Sequence, residues 1–114
     1  MRIFRFALPL VAALVLAMPA LAAPMDPIDN PADTAFLNAM KGLMMSMHRN
    51  MPTGDTDHDF VRMMLPHHQA AVDMAKAELQ YGQDAELKAL ATDIVAAQDK
   101  EMTMMKAWLA KHAK

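Results

Sequence analysis

The chain has 114 residues, 14 methionines, no cysteine and a formal net charge of −2 at pH 7. That length supports one small domain, and the missing thiol excludes disulfides, thiolate metal sites and a cysteine-borne lipid anchor. The acidic balance leaves no basic patch to neutralise phosphates, which argues against a nucleic-acid partner.

Residues 1–22 read as a secretory signal peptide. Arg2 and Arg5 give a positive start, Phe6 to Ala17 is an apolar run broken only by Pro9, and Ala20-Leu21-Ala22 after Pro19 supplies the small-x-small cleavage pattern. The rival reading is a retained anchor, since an apolar stretch of this length just crosses a thin bilayer. Pro9, Pro19 and the cleavage pattern favour removal, which places the remaining chain in the periplasm without a membrane segment. Removal leaves nine basic against 13 acidic side chains, a net charge of −4. Residues 23–33, with Pro24, Pro27 and Pro31 among Asp26, Asp29 and Asp33, read as a disordered leader. Residues 34–114 then form one helical domain.

A first helix follows, capped by Asn30 or Asp33 with Pro31 in its first turn, and runs to about Asn50. Pro52-Thr53-Gly54-Asp55 is a turn. The second helix starts near Asp57 or Asp59 and runs to Tyr81, where Gly82 offers a left-handed stop. Pro66 interrupts it and predicts a kink just before His67 and His68. Asp84 caps a third helix that runs to the C-terminus, and the short link makes the last two helices an antiparallel hairpin. No strand pattern is present, so the fold is all-α, a small antiparallel bundle of three helices.

Methionine is the compositional outlier. After residue 22 there are 12 methionines, against fourteen Leu, Ile, Val and Phe together. Flexible thioether chains fill gaps without fixing geometry, so packing alone does not account for them. On the first helix Met40, Met44, Met47 and Met51 share a face that His48 borders. On the second, Met63 with His67 and Met64 with His68 stand four apart, and Met74 lies seven beyond His67. Adjacent histidines point about 100° apart, so they serve one ion only if Pro66 distorts the helix, and otherwise serve different sites. On the third, Gln98, Glu101, Met105 and Trp108 continue the face of Leu87, Leu90 and Ile94, flanked by Met102 and Met104. Polar Gln98 and Glu101 on that stripe need partners, and His67 or His68 would serve, with the carboxylate or amide orienting a ligand ring. The competing reading of each stripe is an amphipathic core face.

Thioether and imidazole together prefer Cu(I), or Ag(I) as its mimic, over Zn(II), Mg(II) or Ca(II). Zinc needs thiolates or an imidazole array, and a di-iron bundle needs Glu-x-x-His pairs. Asp55-Thr56-Asp57-His58-Asp59 imitates the start of a calcium loop, but Phe60 and Pro66 stand where glycine and glutamate are required. The expected ligands are therefore Met40, Met44, Met47, His48, Met51, Met63, Met64, His67, His68, Met74, Met102 and Met105, supported by Gln98 and Glu101.

Asp59-Phe60, Met64-Leu65-Pro66-His67-His68, Ala71 and Met74-Ala75, continued by Ile94, Gln98, Glu101-Met102, Met105 and Trp108-Leu109, resemble the pattern of the domain of unknown function 305 family. The resemblance covers roughly residues 34–110. It implies a ferritin-like helical fold, in which three helices reach four by pairing of two copies or by a differently packed leader. It also implies likeness to the CopM-like periplasmic copper-binding proteins, with His67, His68 and neighbouring methionines as ligands and copper tolerance as the role. The expected partners are the metal ion, a copper-delivery protein and a second copy. An alternative is a metal-free helical adaptor or chaperone-like protein that uses methionine as an adaptable apolar surface. No Ser-His-Asp or Cys-His arrangement suggests an enzyme.

Overall fold

Each helix begins on a polar side chain that accepts one of the otherwise unpaired N–H groups of a first turn. In the structure, a computed structural model describing residues 30–113, these are α1 (Pro31–Arg49), α2 (Thr56–Tyr81) and α3 (Ala85–Lys111), with no strand among the described residues. The expected signal peptide, residues 1–22, lies outside them.

Asn30 Oδ1 accepts from Ala32 N–H at 2.9 Å, and Pro31 takes the first helical position with its backbone angle already set. The expected leader therefore extends too far, because residues 31–33 are the first turn of α1. Asp55, rather than Asp57 or Asp59, caps α2 by accepting from His58 N–H at 3.2 Å. Asp59 instead closes the preceding turn. Its carboxylate accepts from Thr53 N–H and Oγ1, both at 2.8 Å, and from Gly54 N–H at 3.0 Å. Gly54 has a φ of +92°, which a side chain would strain. Arg62 adds a hydrogen bond to Asn50 Oδ1 at 3.3 Å, so the α1–α2 connection is tied down from both ends.

Gly82 ends α2 with φ −66° and ψ 154°, so the expected left-handed stop is replaced by an extended one. Glycine is needed there for another reason. A Cβ would lie 2.6 Å from the Glu78 carbonyl oxygen, the group that accepts the Gly82 N–H at 2.8 Å. Asp84 caps α3 as the sequence predicts, accepting from Leu87 N–H at 2.9 Å.

α2 is the middle element. It packs on α1 along one side and on α3 along the other, and α1 and α3 make no close backbone approach to each other. The buried side chains are mostly small: Ala39 from α1, Val61, Ala70, Val72, Ala75 and Ala77 from α2, and Ala91 and Met102 from α3. α2 stays helical through Pro66, which lines the cleft towards α1 with Ser46 and Gln69. No helix among the described residues is long and apolar enough to cross a membrane.

Desolvation raises the Asp59 pKa, but its hydrogen bonds to Thr53 and Gly54 and the charge of Arg62 outweigh that and hold it below the ordinary carboxylate value. A depressed folded-state pKa contributes stability above the unfolded-state value of about 3.9, lost as pH falls through the folded value. Asp59→Asn is expected to lower the melting temperature at pH 7, with the gap from wild type closing below about pH 4. Thermal melts across that range check it, and a gap that persists at low pH contradicts it.

Candidate functional site

The side chains that can do chemistry gather on the α2–α3 hairpin, on the face away from α1. His68 is the one buried polar residue among those described, 8 % exposed. Its ring is held at both nitrogens. Nδ1 donates to the Met64 carbonyl one turn back at 2.9 Å, and Nε2 meets Glu101 Oε2 from α3 at 2.5 Å. A carbonyl only accepts, so the Nδ1 contact fixes the proton on that nitrogen and directs Nε2 at α3. Glu101 sits at the solvent edge, its side chain 57 % exposed, so its carboxylate is free to swing outwards.

Around this pair a cavity of about 220 Å³ is lined by Phe60, Met64, His68, Glu101, Met104 and Met105. It adjoins a second cleft where Trp108 joins Phe60, Val61, Met104 and Met105. The thioethers of Met64, Met104 and Met105 thus border the same space as the aimed imidazole nitrogen. Soft sulfur beside one imidazole and one movable carboxylate is a donor set suited to a soft, singly charged cation. Among the described residues, no group of three or more His, Cys, Asp and Glu side chains is placed to hold a metal ion.

The expected site residues fall into several groups. Met64, His68, Met105 and Glu101 converge. His67 is exposed and points away from His68, as the 100° step between neighbours requires. Met102 is buried but lies on the opposite side of α3, lining the cleft with Ser46, Asn50, Arg62 and Pro66. Met74 is on the hairpin face but farther along it, with Leu87 and Leu90. Met63 and Gln98 are half-buried outside the cavity lining. On α1, Met40, Met44 and His48 are exposed and Met47 half-buried; Met51 is exposed beyond the helix end at Arg49, so it leaves the expected helical face, and none of the five reaches the His68 cavity. Two lining residues were absent from the expected ligand set. Met104 stands three beyond Glu101, and Phe60 stands four before Met64, so helical spacing alone would have found both.

His58 and His112 form a separate ring cluster about Trp108. His58 meets the indole edge-on at 5.0 Å between centroids, and His112 stacks on it at 4.2 Å. His112 Nδ1 also donates to the Trp108 carbonyl at 2.8 Å, which closes the end of α3.

Residues 57–114 match the model of the family described as a domain of unknown function, DUF305, and the chain belongs to that family. The match spans α2 and α3 and leaves α1 outside it. No curated protein matches the chain.

His68 and Glu101 should respond unequally to truncation. His68→Ala empties buried space and removes a buried donor, and is expected to cost about 1–3 kcal/mol. Glu101→Ala exposes Nε2 to water through an open cavity and is expected to cost under about 1 kcal/mol. Urea denaturation of the two variants checks this, and equal losses contradict it.

Proposed function

We propose that the protein binds Cu(I), with Ag(I) as its mimic, as cargo in the periplasm, sequestering or carrying the ion and so contributing to copper tolerance. One observation carries the reading. A buried imidazole, anchored through Nδ1 to a backbone carbonyl and meeting Glu101 through Nε2, lines a cavity together with three methionines. Such anchoring fixes both tautomer and ring direction in metal-ligating histidines.

In this reading Nε2 of His68 and the thioethers of Met64, Met104 and Met105 hold the ion. Glu101 gives up its bond to the ring and turns to solvent, or stays to balance charge at the rim. Thioethers carry no proton to lose, so protons do not compete with the ion for the methionine ligands. The absence of thiols suits an oxidising compartment, and the periplasmic setting rests on the signal-like residues 1–22. A copper-delivery protein is the partner such a role calls for.

Competition against a chromogenic Cu(I) chelator tests the proposal. His68→Leu, Met64→Leu and Met105→Leu are each expected to weaken Cu(I) binding at least about tenfold, or 1.4 kcal/mol. Met40→Leu and Met44→Leu should leave that tight site unchanged. Unaltered affinity in the first three variants would falsify the ligand assignment.

A second reading, a metal-free adaptor, draws on a different observation. Met40, Met44 and Met45 on α1 and Met51 just beyond it expose their side chains, an adaptable apolar surface facing solvent. It predicts capture of unfolded chains or of an amphipathic helix, unchanged when those three ligand variants are introduced and lost when the α1 methionines become Gln.

A further inference from the structure

The open face of the α2–α3 hairpin has a regular seam. On α3, Leu87, Leu90, Ile94, Ala97, Glu101, Met104 and Trp108 alternate at spacings of three and four. That is the a/d repeat with which one helix packs along another. α2 covers it only in part: its closest packing on α3 is beside the seam, at buried Ala91 and Met102, and along the seam His68 meets Glu101 and His58 meets Trp108. Ile94 and Trp108 are half-buried, while Leu87, Leu90 and Met104 stay exposed, Leu90 by 54 % and Met104 by 64 %. From α2, Phe60 and Met74 extend the same apolar face.

The charges beside the seam identify the occupant. Glu86, Asp93 and Lys100 follow at intervals of seven along one edge of it, acidic at the start of α3 and basic further on. None of the three enters an ion pair among the described residues. A parallel copy would set this edge against Ala91, Gln98 and Met105 of the other copy, which offer its charges no partner. An antiparallel copy, related by a two-fold axis near Ala97, sets Asp93 of each copy beside Lys100 of the other. The edge is thus complementary to itself in reverse, which is the requirement of an isologous contact. The area also fits. A helix of 27 residues is about 40 Å long and two packed helices are about 20 Å across, giving roughly 800 Å² per copy, the size of a standard stable interface.

We infer that this face binds a second copy of the chain, α3 antiparallel to α3, so that two hairpins make a four-helix arrangement with an α1 on each outer side. The contact does not depend on the copper reading. It would lie over the mouth of the His68–Glu101 cavity in both copies and bring the two cavities to one interface.

Sedimentation velocity on the purified protein, in chelator and low salt, tests the contact without metal. A dimer is expected at micromolar concentration. Leu90→Glu, at an exposed position, should give a monomer with unchanged helicity by circular dichroism. Asp93→Lys should weaken the dimer at least about tenfold, since it turns two attractive contacts into repulsive ones. Asp93→Lys with Lys100→Asp should restore it to within about threefold. A monomer at about 100 μM overturns the inference at standard interface affinities. So does a dimer indifferent to Leu90→Glu and Asp93→Lys but broken by Met44→Glu, which would put the contact on α1. A monomer that dimerises only when residues 1–29 are removed also overturns it, because that segment would then be the occupant.

Discussion

Because α2 is packed on two sides by helices whose backbones do not come close to each other, it must carry small side chains where they lie against it. Ala70 stands towards α1, Ala75 towards α3, and Ala77 is buried as well, while Val72 at 1 % exposure is the largest fully buried side chain. Small residues let backbones come close but bury little apolar area each. A core of this kind cannot be generous, so the fold relies on helix caps and on the tied turn between α1 and α2. Asp59, Arg62, Asn30, Asp55 and Asp84 therefore matter to the fold out of proportion to their number.

The same constraint puts the large apolar side chains elsewhere. Of the described methionines only Met102 is buried, while Met40, Met44, Met45, Met51, Met74 and Met104 are exposed. A chain that needed methionine for packing would show the reverse. Instead the thioethers line clefts and helix surfaces, where their polarisability and flexibility are available to a ligand or a partner. The His68 cavity is the place where this surplus meets a directed polar group, and that coincidence separates it from the α1 stripe.

Most of the helical framework was legible in the sequence because it is local. Asn30-Pro31 and Asp84 announce their helices by cap chemistry, and the link at Gly82-Gln83 is too short for anything but a hairpin. The start of α2 was harder, since Asp55, Asp57 and Asp59 are all plausible caps. The choice fell to Asp55 because Asp59 is needed by Thr53 and Gly54. At the site, the step between His67 and His68 was readable, but which of them turns inward depends on where α3 lies. Met102 was read as a ligand and Met104 was not, for the same reason. Their positions on α3 differ by about 200°, and only the docking of α1 decides which side of the hairpin is open.

His68 and Glu101 tie these levels together. The contact joins α2 to α3 near the middle of the hairpin, so it stabilises the pairing that forms the cavity. Yet its two ends differ. The imidazole is buried and keeps its carbonyl bond whatever Glu101 does, whereas the carboxylate is half in water and loses little by leaving. An arrangement meant only for stability would bury both partners or neither, since a half-exposed pair contributes little. In the proposed Cu(I) reading, the rigid nitrogen and its exchangeable partner are what an incoming ion requires, and the neighbouring methionines supply the soft donors.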